Sequence, residues 1–250
     1  MQAYGRIFSI VYNQRWSGFS RQIAPKILDF YSRTHIGKVS KSVLDLGCGT
    51  GQLALHFLEN EYKVVGIDRS EYMLRYANEN TQEYVNSGQA RFILGDITNF
   101  QLNEKFGLVV STYDTLNHLS DEKELIRCIN CISAVCEGCF IFDLNTRVGL
   151  TRWNSIHIDD SDEMLVITRG IYDGHGDRAW TMISGFVKQE DGTYQRFDET
   201  AFNTVYDLEK VKKIIIQSGW PNVYFARAQD LAIPIEEPEK EGRVFVVAYK

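Results

Sequence analysis

The run VLDLGCGTG at positions 43–51 joins a short apolar stretch to three glycines, each separated from the next by one residue. A short apolar run that stops at glycine reads as a buried strand. TGQLALHFLEN, at 50–60, carries apolar residues at helical spacing. A strand that turns through glycines into a helix presents free backbone N–H groups and no Cβ atoms to a ligand. The spacing is Gly-x-Gly-x-Gly, not the Gly-x-Gly-x-x-Gly of dinucleotide folds, and Asp45 stands two residues before the first glycine. A carboxylate there disfavours a pyrophosphate and favours a cationic or amine-bearing ligand.

The same alternation continues. YKVVGID (62–68), ARFILGD (90–96), FGLVVSTY (106–113) and CFIFDLN (139–145) read as strands. SEYMLRYANEN (70–80), with Ser70 as N-cap, and residues 121–135 read as helices. Strands apolar on both faces and separated by helices predict a parallel sheet covered on both sides. The first forty residues read as helical, with Tyr4, Phe8, Tyr12 and Trp16 as their aromatics. From 163 to 206 three strand-like runs are separated by DGHGD and EDG, the signals of an antiparallel meander. Helix returns at 207–219, with Asp207 as N-cap and Gly219 as stop; VYFARAQDL and RVFVVAYK supply two last strands around an exposed loop at Pro234–Pro238.

Three strand ends carry the candidate chemistry. Asp68 closes the second strand, where a carboxylate can accept from both hydroxyls of a ribose. Asp96 closes the third, where it can accept from an exocyclic amino group. With the glycine loop, these fit an adenosine that has no phosphate chain.

Composition narrows the partners. Lys+Arg is 27 against Asp+Glu 33, a net charge of −6, which argues against a surface built for nucleic acid or anionic lipid. No apolar run reaches 18 residues, and the start MQAYGRIFSIVYNQRW has no small-residue cleavage site, so neither a membrane span nor a signal peptide is expected. Cys128, Cys131, Cys136 and Cys139 form Cys-x2-Cys-x4-Cys-x2-Cys, which invites a zinc reading. The first pair lies in a helical pattern and the spacer is short, so buried thiols around a turn at Glu137-Gly138 are expected, with no metal and a reducing cytoplasm.

The blocks VLDLGCGTG, VVGIDRSEYML, FILGDI, FGLVVSTYDTLNHL and FIFDLNT follow one another within residues 40–146. With them the chain resembles the class I S-adenosylmethionine-dependent methyltransferases. The resemblance implies backbone contacts from Gly47, Cys48 and Gly49 to the methionine part of the cofactor. Asp45 joins these cofactor-binding candidates through its charge. It also implies that Asp68 holds the ribose, with Arg69 and Met73 beside the adenine. Asp96 would bind the adenine amino group, Ile97 would donate its backbone N–H, and Ser111 and Tyr113 would flank the sulfonium.

DTLNH at 114–118 is similar to a block of small-molecule methyltransferases, amino-sugar N-methyltransferases among them. That subgroup also inserts an antiparallel lid after the fifth strand. Its lid often carries RFDEEH; here RFDE (196–199) is followed by Thr200 and Ala201, so no role passes to the missing histidine. Tyr12 and Trp16 fall where the N-terminal helix of such enzymes closes over the cofactor, and core packing is the competing account of both. His118 faces either the pocket or nothing. Asp143 and Asn145 serve either a site or a turn.

The expectation is therefore an α/β, Rossmann-like, seven-stranded, mostly parallel sheet with helices on both faces and a small inserted antiparallel β lid. Residues 1–146 and 207–250 would bind S-adenosylmethionine, and 147–206 would form the lid. The expected reaction is in-line methyl transfer to nitrogen or oxygen of a small molecule. Tyr113, Asp114 and His118 are the substrate-facing candidates, and no base is assigned. Two alternatives stand beside it: an RNA or protein methyltransferase, disfavoured by the charge, the lid and the lack of an NPPY-like tetrad, and a protein that binds the cofactor without turnover. A homodimer is compatible with all three.

Overall fold

The computed structural model describes residues 4–250. Three helices come first: α1 (Arg6–Arg15), α2 (Gly18–Arg33) and α3 (His35–Val39). The expected alternation follows as β1 (Ser42–Leu46), α4 (Gln52–Glu59), β2 (Lys63–Asp68), α5 (Glu71–Asn80), α6 (Gln82–Asn86), β3 (Ala90–Leu94) and β4 (Phe106–Ser111). After it come α7 (Glu122–Val135), β5 (Cys136–Asn145) and α8 (Arg147–Thr151). A second group, β6 (Ile156–Asp160), β7 (Met164–Ile171), β8 (Arg178–Lys188) and β9 (Tyr194–Thr204), precedes α9 (Leu208–Gln217), β10 (Asn222–Arg227), β11 (Asp230–Pro234) and β12 (Arg243–Tyr249). Of the N-terminal stretch expected to be helical, residues 1–3 lie outside the described residues.

The main sheet runs β11-β10-β12-β5-β4-β1-β2-β3. Strands β1 to β5 are mutually parallel, while β12, β10 and β11 pair antiparallel. The chain leaves β1 for β2 on one side and returns to β4 on the other. That reversal opens a crevice at the carboxyl ends of β1 and β4. Side chains alternate between two cores. Leu44, Leu46 and Phe142 pack with Ile129 of α7 and Ile215 of α9. Val43, Val64 and Val110 pack with Ile27 of α2 and Phe57 of α4. Ser70 caps α5 by accepting from Met73 N at 3.3 Å, and Asp207 caps α9 by accepting from Lys210 N at 3.0 Å.

The sheet has eight strands, not the expected seven. The segment read as one strand, VYFARAQDL, folds back after Arg227, and Asp230 accepts from Ala232 N at 2.8 Å as the edge strand β11 begins. Pro234 ends that strand rather than sitting in a loop; an edge position does not require its missing N–H. The expected turn at Glu137-Gly138 is strand instead, because α7 runs directly into β5. A Cβ on Gly138 would stand 2.4 Å from Gly107 O, so this glycine serves a close approach of backbones.

The second sheet, β6-β7-β8-β9, is antiparallel and has four strands where three were read. The missed strand, β6, ends in the acidic residues Asp159 and Asp160. Its polar residues His157 and Asp159 alternate with Ile156 and Ile158, so the pattern was inverted relative to an ordinary half-buried strand. No described helix is long and apolar enough to cross a membrane.

Candidate functional site

The glycine loop owes its path to left-handed backbone. Gly47, Gly49 and Gly51 have φ of 68°, 53° and 77°. Gly47 N and Cys48 N donate to Ile67 O of β2 at 2.7 and 3.1 Å, which folds the loop back over the neighbouring strand. A Cβ on Gly47 would come within 2.4 Å of the Thr115 side chain. Gly49 N donates to Asp68 Oδ2 at 2.9 Å, and Ser70 N donates to Asp68 Oδ1 at 2.9 Å. Burial raises the Asp68 carboxyl above its ordinary value, and these N–H groups oppose the rise. Asp68 therefore braces the loop while lining the cavity in front of it.

Asp45 lies at the back of a small hollow lined also by Tyr12, Trp16, Gly47, Cys48 and Tyr113. It is buried, and its Oδ2 has no hydrogen-bond partner. Burial, helped by the nearby Asp68, pushes its carboxyl up to about 7. A buried carboxylate oxygen without a partner is costly, and a cationic ligand group in the hollow would relieve it.

A cavity of about 660 Å3 opens beside this hollow. Asp96, Ile97, Arg69 and Met73 line its far side. Asp96 Oδ1 accepts from Thr98 N at 2.7 Å and from Thr98 Oγ1 at 2.8 Å, which orients the carboxylate at the tip of β3. Tyr4, Phe8, Tyr12 and Trp16 of the N-terminal segment wall the cavity from above, so Tyr12 and Trp16 both pack in a core cluster and face the cavity. Thr168, Thr181, Ile183 and Asn203 of the second sheet form the opposite wall.

Tyr113 and Asp114 follow β4 with φ of 64° and 51°, an uncommon backbone for such residues. Asp143 of β5 holds them there. Its Oδ1 accepts from Tyr113 N at 2.6 Å and its Oδ2 from Asp114 N at 3.0 Å. Arg243, the first residue of β12, donates to Asp143 and, at 2.8 Å, to Asp114 Oδ1. Burial raises the Asp143 carboxyl, and the Arg243 charge opposes that. The Tyr113 ring stacks on Phe19 with centroids 4.8 Å apart and planes 12° apart, and Arg243 lies over the Phe19 ring at 4.9 Å. Arg243 and Phe19 were not candidates from sequence. A signal for Arg243 existed: a carboxylate inside an apolar strand needs a cation, and Arg243 opens the strand beside it.

His118 closes a short 3-10 turn, Thr115–His118. Its Nδ1 lies 2.7 Å from Phe202 O and its Nε2 3.1 Å from the Tyr4 hydroxyl. The carbonyl requires Nδ1 to carry the proton, so Nε2 accepts from Tyr4. Burial lowers the imidazole pKa, although Asp114 opposes this from 3.9 Å. Asn117 donates to Asn145 O at 3.1 Å and to Thr204 O at 2.9 Å, pinning β9 to β5. Glu199, from the RFDE run, accepts from Gly5 N at 2.8 Å and Tyr4 N at 3.1 Å. It ties the second sheet to the start of α1.

Tyr12, Trp16, Gly47, Gly49, Asp68, Arg69, Met73, Asp96, Ile97, Tyr113, Asp114 and His118 thus line one cavity, with Asp45 and Cys48 in the adjoining hollow. Ser111 is the exception. It is fully buried and its Oγ donates to Leu46 O at 3.0 Å, so it links β4 to β1 beneath the site and faces no cavity. The cysteine quartet divides between α7 and β5, where burial pushes the Cys136 thiol up to about 12 and Cys139 up to about 11.

Residues 43–138 match the family model for a methyltransferase domain. A provisionally assigned methyltransferase of Geobacillus sp. (strain WCH70) is 26% identical over 215 residues, 84% of this chain and 85% of that one. A dTDP-3-amino-3,4,6-trideoxy-alpha-D-glucopyranose N,N-dimethyltransferase of Streptomyces venezuelae is 33% identical over 86 residues, 34% of each chain. The crystal structure of an S-adenosylmethionine-dependent methyltransferase from Clostridium acetobutylicum ATCC 824 superposes with a TM-score of 0.78 at 24% identity, covering 97% of both chains.

Proposed function

We propose that this chain, a class I S-adenosylmethionine-dependent methyltransferase, moves the methyl group in line to a nitrogen or oxygen of a small-molecule acceptor. The observation that carries this reading is that the cavity is walled from three sides. Strand tips close one side, α1 covers the top, and the second sheet supplies the facing wall. A cavity walled on these sides suits a small acceptor better than a polymer, and the net charge of −6 does not attract nucleic acid. The local similarity to an amino-sugar dimethyltransferase supports an amine-bearing acceptor.

S-adenosylmethionine, when bound, supplies a methyl group on a positively charged sulfur. The residues present fit it. The unpartnered Asp45 carboxylate suits its ammonium group, and the glycine loop leaves backbone N–H groups and no Cβ beside the methionine part. Asp68 suits the ribose hydroxyls, Asp96 the adenine amino group, and Arg69, Met73 and Ile97 the adenine surroundings. Tyr113 and Asp114 stand where the acceptor would meet the sulfonium. Residues 147–206 then form the acceptor wall, with the hydroxyls of Thr168 and Thr181 and the amide of Asn203 available to an acceptor rich in polar groups.

The chain's own contribution is position and exclusion of water. The stacked Tyr113 and Phe19 rings and the Arg243 clamp hold the strand tip rigid. Neutral His118, with Nε2 occupied by Tyr4, shapes the wall and does not present a free base. An amine acceptor therefore enters deprotonated and gives up its extra proton after transfer.

Calorimetry with S-adenosylhomocysteine, followed by methyl-release assays over small amines and alcohols, tests the proposal. Turnover on small acceptors is expected. Asp68→Ala should weaken cofactor binding by about 1.5–3 kcal/mol, since it removes hydrogen bonds to a charged acceptor. Tight cofactor binding without turnover on a broad panel, or turnover only on RNA or protein, would overturn the small-molecule reading.

A further inference from the structure

The acceptor wall of the cavity differs in charge from the cofactor side. Asp68, Asp96 and Glu124 line the cofactor side, and Asp45 lies in the adjoining hollow. Arg152, Trp153, Thr181, Asn203 and Arg243 line the other side, against α8 and the second sheet. Three arginines reach the cavity in all. Arg243 is committed to Asp114 and Asp143, and Arg69 stands next to Asp68 on the cofactor side. The Arg152 side chain makes no hydrogen bond or ion pair among the described residues. Glu241, the acid nearest it at the start of β12, is paired with Arg227 at 2.5 Å.

Local contacts bring Arg152 together with two polar groups of that wall. A Cβ built on Gly242 would stand 3.7 Å from Arg152 Nη1, so the guanidinium lies where β12 begins. There Arg243 is the register partner of Asn145, and Asn145 Nδ2 donates to Asn203 Oδ1 at 2.8 Å. That bond engages the oxygen of the Asn203 amide and leaves its Nδ2 for the cavity. Trp153, the residue after Arg152, covers Gly170, where a Cβ would stand 2.1 Å from Trp153 O. Gly170 is opposite Thr181 on β8, and Thr181 is one alternating position from Ala179, the partner of Asn203. Thr181 Oγ1 is buried without a hydrogen-bond partner. A guanidinium, an amide nitrogen and an orphan hydroxyl thus stand together, each able to donate. Such a surplus of donors suits a ligand group that only accepts.

We infer that the methyl acceptor carries a carboxylate, which pairs with Arg152 and accepts from Asn203 Nδ2 and Thr181 Oγ1. The inference rests on the small-molecule reading above and narrows it to amino or hydroxy acids. A carboxylate matches the flat guanidinium fork and has lone pairs left for the amide and the hydroxyl. Charge favours it over a phosphate or phosphonate. Asp114 and Asp143 share the single Arg243 guanidinium, so this wall already holds one negative charge more than Arg243 covers. Arg152 adds one positive charge, enough for a monoanion. A dianion would leave a further uncompensated charge beside buried carboxylates. The cofactor's own carboxylate is not the partner, because Arg152 does not line the hollow formed by Asp45, Gly47 and Cys48. Arg152 is thus a specificity residue. It holds the acceptor by its acid and leaves a nitrogen or hydroxyl, more nucleophilic than a paired carboxylate, to meet the sulfonium.

Two sets of probes test this, each on one skeleton: β-alanine, its amide and aminoethylphosphonate; and meta-aminobenzoate, its amide and the corresponding phosphonate. In calorimetry with the chain loaded with S-adenosylhomocysteine, an acid should bind about tenfold or more tighter than its amide and its phosphonate. Arg152→Ala should remove that preference and leave S-adenosylhomocysteine affinity unchanged. Arg152→Lys, a charge without the fork, should restore part of it. Thr181→Val should weaken the acid several-fold and spare the cofactor. Equal affinity for acid and amide in both sets overturns the inference, as does failure of both acids to bind. Tighter binding of the phosphonates, or a preference that survives Arg152→Ala, overturns it too. Methyl release separates this inference from the reading it rests on. Acids bound through Arg152 with no methyl release from any probe would remove small-molecule transfer and leave the carboxylate site. Amides methylated as fast as acids would do the reverse.

Discussion

Asp143 accepts the backbone N–H of Tyr113 at 2.6 Å, across the gap between the ends of β5 and β4. The same carboxylate takes Asp114 N and the Arg243 guanidinium, so one buried side chain sets a left-handed turn and, with Asp114, pairs with a half-buried cation. Asp143→Ala strands Arg243 between one remaining carboxylate and two aromatic rings. It is expected to cost about 2–4 kcal/mol, read from urea denaturation, because Tyr113 N and Asp114 N both lose their acceptor while Arg243 keeps only Asp114. Where the variant folds, turnover should fall about 100-fold, the cost of an ångström-scale misplacement of Tyr113. Unchanged turnover would mean that the turn does not position the reaction.

Asp45 makes cofactor binding depend on pH. Its carboxyl lies at about 7 in the folded chain, above its unfolded value near 3.8. A group whose folded pKa is raised stabilises the fold fully below the unfolded pKa and loses that contribution as pH rises through the folded one. Free-chain stability from this residue therefore declines between about pH 4 and 7. Cofactor binding runs the other way, because the ammonium group selects the ionised carboxylate. Affinity for S-adenosylhomocysteine should rise from pH 6 to pH 8, with proton release below pH 7 by calorimetry in buffers of different ionisation enthalpy. Asp45→Asn should flatten that dependence, weaken binding, and stabilise the free chain at pH 8 by on the order of 1–3 kcal/mol.

His118 gives the opposite sign. Burial lowers its pKa, so the imidazole is neutral at and above its ordinary titration range. The unfolded chain binds the extra proton, and stability from this residue is lost as pH falls below about 6.5. The groups facing the ring are Tyr4, Asp114, Arg69 and the Phe202 carbonyl. With Nε2 already accepting from Tyr4, His118→Asn should raise the acceptor KM several-fold and leave kcat within about tenfold. A general base removed costs about 100-fold or more. A kcat loss of that size, with an inflection in the wild-type pH profile that the variant lacks, would make His118 the base.

The central sheet was legible because its strands are buried on both faces and its helices carry local caps. Ser70 and Asp207 cap through bonds three residues long, the range at which sequence is read. The same locality made Gly47, Asp68 and Asp96 visible, since each stands at a strand tip. What stayed hidden depends on distant partners. Arg243 is 129 residues from the Asp114 it binds, and Glu199 is 195 residues from Tyr4. Ser111 was misplaced for a related reason: sequence puts it at a strand tip, but only the pairing with β1 turns its hydroxyl onto Leu46 O. β6 was missed because His157 faces the cavity and Asp159 meets Arg15 of α1, while its isoleucines face outward.

Glu199 carries the last prediction. Its carboxylate accepts from Gly5 N, at the N-cap of α1, and from Tyr4 N just before it, where the N-cap glycine has no side chain to cap the helix. Ser70 Oγ donates to Tyr4 O at 2.8 Å and Tyr4 donates to His118, so three elements converge on one residue of the segment that roofs the cavity. Hydrogen bonds to a charged acceptor contribute about 1.5–3 kcal/mol. Glu199→Ala removes two while leaving the inner core of the second sheet, Phe197 and Ile183, in place. The roof should then open more often without global unfolding. Hydrogen exchange at residues 6–16 should speed up by about tenfold to a hundredfold, and α9 should remain as protected as before. Dissociation of S-adenosylhomocysteine should accelerate in proportion, since release requires the roof to lift. Faster exchange with an unchanged dissociation rate would show that the cofactor leaves by another route, and that Tyr12 and Trp16 wall the cavity without gating it.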